Sequence, residues 1–263
     1  MRIAFLGTGS GGSIQRCHTS IYVEIGSSIV LLDAASGNSA LVNAYKLGLD
    51  LNNINHLLLS HSHHDHAKGL EYLESHRNVR GIPDPLNVYG SKITLSEVTN
   101  YFSTMNKEFK VDDSGVNRSK NMTLKWNSVD IGKDFVINDL ITRSHSADHI
   151  EGSLGWRLQS KSQVVVFSGD TQYTENTVSN AAGADVLIHE AYGLKQDSDL
   201  LKLVKHSSAH DAGSVASQAG VSQLILTHIS SQYHGKESLL VDEARKVYSG
   251  PILVAHDLMD LHL

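Results

Sequence analysis

The segment His61-Ser62-His63-His64-Asp65-His66 places four imidazoles and a carboxylate within six residues, directly after the apolar run Ile54-Asn55-His56-Leu57-Leu58-Leu59. The run reads as a strand, so the polar hexapeptide forms a metal site at a strand end. Zinc-type ions favour imidazole nitrogen and carboxylate oxygen, and a catalytic centre keeps one coordination position open for water. Alternate residues of such a loop point in different directions, so the His-x-His-x-Asp-His pattern can serve two ions. His61 and His63 would reach one ion, Asp65 and His66 the other. His64 lies between the pattern positions and is expected behind the ligands or at the surface.

Around this motif the chain alternates strand-like and helical stretches with no compositional break. Strand-like runs fall at 2–6, 20–25, 29–33, 54–59, 86–89, 135–142, 154–159, 163–167, 186–189, 223–227 and 252–255. Helical periodicity marks 39–47, 67–75, 93–105, 209–219 and 236–248. Periodicity alone predicts a mixed α/β fold, and 263 residues with 40% hydrophobic content suit one domain over 1–263 with a sizeable core. The polar stretch 106–121 reads as a loop or hairpin tip. With 28 acidic against 22 basic residues the formal charge is −6, which gives no general electrostatic pull toward nucleic acid. A single cysteine, Cys17, excludes an intramolecular disulfide framework and fits a reducing, cytoplasmic setting. The apolar run at 2–6 is too short for a signal-peptide core, and no run approaches membrane-spanning length, so no membrane partner is expected.

Two later segments repeat the pattern of a strand ending in a candidate ligand. They are Val164-Val165-Val166-Phe167-Ser168-Gly169-Asp170-Thr171 and Leu224-Ile225-Leu226-Thr227-His228-Ile229-Ser230. With the hexapeptide and the small residues Ala67 and Gly69, they resemble the signature of the metallo-β-lactamase superfamily of dinuclear metal hydrolases, and the resemblance covers essentially the whole chain. It implies an αββα sandwich of two mixed sheets flanked by helices. It also implies that Asp170 bridges two metals, that His228 is the last histidine ligand, and that Asp33 lies under the metals and orients a ligand histidine. The third-motif ligand falls in Ser144-His145-Ser146-Ala147-Asp148-His149. The family pattern of a strand, a small residue and His-Ser selects His145, whereas the distance to Gly155-Trp156-Arg157 would suit His149. His145 is the expected ligand and His149 its competitor, placed behind the first shell. The implied set is then His61, His63 and His145 on one ion and Asp65, His66 and His228 on the other, with Asp170 between them. Two Zn2+ are the expected cofactors, and Mn2+ or another divalent transition metal would also suit. Such a pair generates a bridging hydroxide near neutral pH.

Within the superfamily the second half resembles ribonuclease Z. The carrying segments are Leu187-Ile188-His189-Glu190-Ala191, Lys205-His206-Ser207-Ser208-Ala209 and Leu226-Thr227-His228-Ile229-Ser230-Ser231-Gln232-Tyr233. By that resemblance His206, oriented by Glu190, is the candidate general acid, and Asp65, His206 and Glu190 are the expected catalytic residues. The resemblance implies a phosphodiesterase acting on a small, nucleotide or cyclic phosphodiester or in RNA 3′ processing, and a homodimer. Several positions depart from that pattern: Tyr192 replaces a Thr, Gln232 an Arg, and Cys17 follows Arg16 in place of Asn. The short interval between His145 and Asp170 leaves no room for the basic arm that clamps tRNA, which makes nucleic acid the less supported partner. The alternative activity keeps the metals and hydrolyses a carboxylic ester, lactone, thioester or β-lactam. The loop Gly7-Thr8-Gly9-Ser10-Gly11-Gly12 lacks the following helix and acid of a dinucleotide fingerprint and the Lys of a Walker loop. Its glycines are expected to let the first hairpin turn tightly below the metals.

Overall fold

The structure, a computed structural model, describes residues 1–105 and 124–263, with backbone alone over 102–105; the stretch 106–121 lies outside the described residues. In chain order the first half holds β1 (Arg2–Gly7), β2 (Ser20–Ile25), β3 (Ser28–Leu32), α1 (Ser39–Lys46), β4 (His56–Leu58), α2 (His64–Ala67), α3 (Leu70–Arg80), β5 (Leu86–Gly90), α4 (Lys92–Met105) and β6 (Leu124–Ser128). The second half holds β7 (Asp134–Ile137), β8 (Leu140–Ser146), β9 (Leu154–Gln159), β10 (Val164–Phe167), α5 (Glu175–Ala181), β11 (Val186–Glu190), α6 (Ser198–Val204), α7 (Ala209–Ala219), β12 (Gln223–Thr227), α8 (Glu237–Ala244), β13 (Ile252–Val254) and β14 (Asp260–His262).

Among the described residues the strands form two seven-stranded sheets, ordered β14-β1-β2-β3-β4-β5-β6 and β13-β12-β11-β10-β9-β8-β7. Each is mixed in the same way. Pairs along β14 to β3 and along β7 to β10 are antiparallel, and pairs along β3 to β6 and along β10 to β13 are parallel.

Side-chain alternation along these strands sorts the apolar residues into three layers. Ile3, Phe5, Leu32, Leu58, Phe167, Ile188 and Ile225 point between the sheets. Their sequence neighbours Ala4, Leu6, Leu31 and Leu57 face the first sheet's helices, with Leu70 and Leu73 of α3. Val166, Leu187, Leu224 and Leu226 face α7 and α8. Both faces of the central strands are therefore buried, which is why those strands read as unbroken apolar runs. Each large side chain removed from water in this way contributes about 1.5–3 kcal/mol. Trp156, fully buried between the sheets, also donates its indole N–H to the Leu59 carbonyl at 3.2 Å and so supports the end of β4 just before His61.

The run 135–142, expected as one strand, is a hairpin of β7 and β8. Asn138 at its tip takes the left-handed conformation, φ 53°, which Asn tolerates in tight hairpin turns. Strand β8 consequently continues through His145, and this decides where that side chain points. Helices α5 and α6 had no clear periodic signal, being only seven residues each.

Candidate metal centre

Open sheets place ligands beyond the carboxyl ends of parallel strands, and both sheets do so at the same edge of the sandwich. Asp33 follows β3, His61 follows β4, Asp170 follows β10, Glu190 ends β11 and His228 follows β12. The backbone leaves the strands sharply there, with Asp33 at φ 57° and His228 at φ 56°. The hexapeptide is pinned to the neighbouring strand end: Ala34 N–H donates to His66 O at 2.7 Å, and Gly69 N–H to Ala35 O at 2.9 Å. A Cβ at Gly69 would come within 1.8 Å of the Ala34 carbonyl oxygen, so only glycine permits this approach.

Four donors, Asp65, His66, Asp170 and His228, offer ligand atoms that all lie within 4.8 Å of one another, and His61, His63 and His149 form a second such group. Asp170 Oδ2 joins them. It stands 3.2 Å from His66 Nε2, 3.2 Å from His228 Nε2, 3.7 Å from His61 Nε2 and 4.0 Å from His149 Nε2. Asp65 Oδ2 completes one side at 3.4 Å from His66 Nε2 and 3.3 Å from His228 Nε2, and His149 Nε2 is 3.1 Å from His63 Nδ1 on the other. Donors about 2.1 Å from a common tetrahedral ion stand about 3.4 Å apart, so these separations suit coordination of a shared ion. The Nε2 atoms of His61 and His66 are buried with no hydrogen-bond partner, a costly arrangement unless a cation takes the lone pairs. The donor set fits a divalent transition metal.

The opposite ring nitrogens of His61, His66 and His149 are held from behind, which would fix the tautomer a metal ligand needs. Asp33, fully buried, accepts from Ser60 N–H and Ser60 Oγ–H at 2.7 Å each and pairs with His66 Nδ1 at 2.7 Å. His61 Nδ1 lies 2.9 Å from Ser60 Oγ, and His149 Nδ1–H donates to the Lys205 carbonyl at 2.9 Å. Burial pushes the His61 imidazole well below its ordinary pKa, with His66 next door adding to the effect. For His66 burial acts in the same direction, yet the carboxylates of Asp170, Asp65 and Asp33 outweigh it and hold the ring well above. Burial opposes ionisation of Asp170 too, but His228 and His66 keep it far below the usual carboxylate range.

His145 is not in the cluster. Alternation along β8 sends it to the same face as Ile141 and Arg143, and its ring lies over Gly155, its partner on β9; a Cβ there would meet Nε2 at 2.3 Å. Both its ring nitrogens are buried without a partner, and burial, reinforced by His189, lowers its pKa to about 4. Where the sequence placed His145, the cluster holds His149, which lies beyond the strand end. The Gly155 spacing was the signal that pointed there. His64 is exposed, and His18 sets Nδ1 2.5 Å from Ser36 Oγ near Asp65, with its pKa lowered by burial.

Beside this cluster, His206 Nδ1–H meets Glu190 Oε1 at 2.9 Å. Glu190 is anchored in turn by the N–H groups of Thr171 at 2.6 Å and Ser207 at 3.1 Å. Burial tends to lower the His206 pKa, but the Glu190 carboxylate prevails and raises it to about 9. Tyr192, where the ribonuclease Z pattern has Thr, stacks on the His206 ring with centroids 4.6 Å apart and planes 8° apart. Arg16 is buried and structural, donating to Thr8 Oγ1 at 2.8 Å, Ala255 O at 2.7 Å and Glu237 Oε1 at 2.7 Å. The glycine-rich loop passes close to the site at Gly11, where a Cβ would meet Asp65 Oδ2 at 3.1 Å.

Two packed sheets with a His/Asp cluster at their shared carboxyl edge define a metal-dependent hydrolase. The Beta-lactamase superfamily domain matches residues 29–229, and the chain belongs to that superfamily. It is similar to the ribonuclease Z of Methanosarcina mazei, 28% identical over all of this chain and 98% of that one. The fold matches the metallo-β-lactamase fold protein YhfI from Bacillus subtilis (TM-score 0.82, 20% identity, 99% of each chain). It also matches the short form of human tRNase Z (TM-score 0.77, 19% identity, 100% of this chain and 99% of that one). Among the described residues no helix is long and apolar enough to cross a membrane.

Proposed function

We propose that the chain is a two-metal phosphodiesterase of the ribonuclease Z-like type. In this reading His61, His63, His149 and Asp170 hold one divalent ion and Asp65, His66, His228 and Asp170 the other, with zinc the best chemical match. Ions held there supply Lewis acidity and lower the pKa of bound water. The observation that carries the phosphodiester assignment is the His206–Glu190 pair at 2.9 Å beside Asp170. An alkoxide leaving from phosphorus needs a proton, and His206, charged at neutral pH, has one to give from its free nitrogen. Glu190 holds Nδ1 protonated and the ring oriented, while the Thr171 and Ser207 N–H groups hold Glu190. Similarity to enzymes named ribonuclease Z supports the same reading and keeps RNA among the candidate substrates beside nucleotide and small phosphodiesters.

The test is a hydrolysis panel on metal-analysed protein spanning bis(4-nitrophenyl) phosphate, cyclic nucleotides, dinucleotides, pre-tRNA, lactones and β-lactams. Turnover of phosphodiesters with inert carbonyl substrates is expected. Turnover of lactones or β-lactams alone would replace phosphorus with acyl chemistry.

A further inference from the structure

A cavity of about 530 Å³ lies beyond His206, and its lining includes Gln172, Lys195, Lys202, His206 and Asp211. It adjoins the candidate metal centre through His206, the proposed proton donor, whose ring nitrogen lies within 4.8 Å of donor atoms of His149 and Asp170. The size is that of a small-molecule subsite.

Its charge is unbalanced. Lys195 begins a 3-10 turn, Lys195–Asp197, and Lys202 lies on α6. Nearby Lys205 is neutralised by Asp148 at 3.0 Å, whereas among the described residues neither Lys195 nor Lys202 forms an ion pair. Among the described residues the hydrogen-bond partner of Lys195 Nζ is His210 Nε2, at 3.5 Å. The one acidic lining residue, Asp211, is engaged in capping α7, where Oδ2 accepts Ser208 N–H at 3.0 Å and Ser208 Oγ–H at 2.7 Å. A second cavity, about 210 Å³ with Ser62, Lys68, Glu97 and Tyr101 in its lining, has its cation occupied, since Lys68 Nζ sits 2.9 Å from the centre of the Tyr101 ring.

A proton donor must face the oxygen that departs, so whatever continues from that oxygen enters the cavity on His206's side. We propose that this cavity is the leaving-group subsite and that it selects substrates whose leaving half carries a second phosphate, held by Lys195 and Lys202. The inference rests on the phosphodiester reading above. Lysines bind phosphate as mobile point charges, so the effect falls mainly on KM and weakens with salt.

The experiment compares the dinucleotides ApU, pApU and ApUp on the metal-loaded protein, with product identity showing which half leaves. The phosphate on the leaving half should raise kcat/KM about tenfold, mainly through KM. In the Lys195→Ala/Lys202→Ala variant that ratio should fall to near one, and equilibrium dialysis should show the phosphorylated leaving product bound about tenfold more weakly. Extra salt should shrink the native ratio toward the variant's. A trinucleotide extended on the leaving side distinguishes an internal phosphate from a terminal one. A native ratio near one, or a ratio that survives both substitutions, overturns the subsite. If neither ApU nor bis(4-nitrophenyl) phosphate is hydrolysed at all, the phosphodiesterase reading itself falls.

Discussion

The two sheets supply the candidate metal centre in unlike ways. The first contributes a contiguous block, His61, His63, Asp65 and His66, on one strand-to-helix connection, with Asp33 of the adjacent strand behind it. The second contributes isolated residues: His149 from the β8–β9 turn, Asp170 after β10, Glu190 at the end of β11, His206 between α6 and α7, and His228 after β12. Four donors on one loop keep their spacing whatever the rest of the chain does. The dispersed donors are brought into range by strand register, so the second sheet's parallel pairing of β10, β11 and β12 is as much part of the candidate site as the side chains themselves.

The largest expected effect breaks the link between the two groups. Asp170 Oδ2 is the atom both groups approach, so Asp170→Ala should abolish detectable activity and deplete metal from both, measured by elemental analysis and by turnover of an activated diester. Retention of a full metal complement would mean that the groups bind independently.

His206 probes the second sheet's catalytic share. His206→Ala should slow substrates with alkoxide leaving groups by about 10²–10⁴-fold and spare 4-nitrophenolate, which needs no proton. Equal losses on both classes would assign His206 a structural role. The same pair sets a pH limb. Because Glu190 raises the folded His206 pKa from 6.5 to about 9, the protonated pair contributes its full stability below pH 6.5 and loses it as pH rises through about 9. Rates on poor leaving groups should decline over that alkaline window, and His206→Ala should erase the decline.

A smaller effect tests the first sheet's support. Asp33→Asn keeps the size but weakens the charge-assisted bond to His66 Nδ1, and should reduce metal affinity by about 10–100-fold without unfolding the chain. Calorimetric metal titration checks this, and unchanged affinity would make Asp33 a turn-former alone.

The same contrast explains what could be read without coordinates. The mixed α/β class was legible because β3, β4, β10, β11 and β12 are apolar runs and α7 was placed at Ala209–Ala219 by its periodicity, whereas the layering of two sheets between helices came from the family resemblance. The hexapeptide was legible because its spacing is local. His145 and His149 were not separable by pattern, since the choice turns on the Asn138 hairpin, which sets where β8 ends, and on Gly155 opposite, which leaves room for the His145 ring on the outer face. Tyr192 over His206 left no trace in the sequence, because rings 14 positions apart stack only after β11 and the loop before α7 are packed together.

His149, not His145, is proposed to join the two halves of the candidate centre. Zinc-loaded native protein, His149→Ala and His145→Ala should be compared by elemental analysis, with thermal unfolding recorded alongside. About two ions per native chain are expected. Loss of about one of them is expected in His149→Ala, and native metal content in His145→Ala, whose buried cavity should instead cost about 2–4 kcal/mol of stability. Full metal in His149→Ala together with loss in His145→Ala would contradict the assignment of His149.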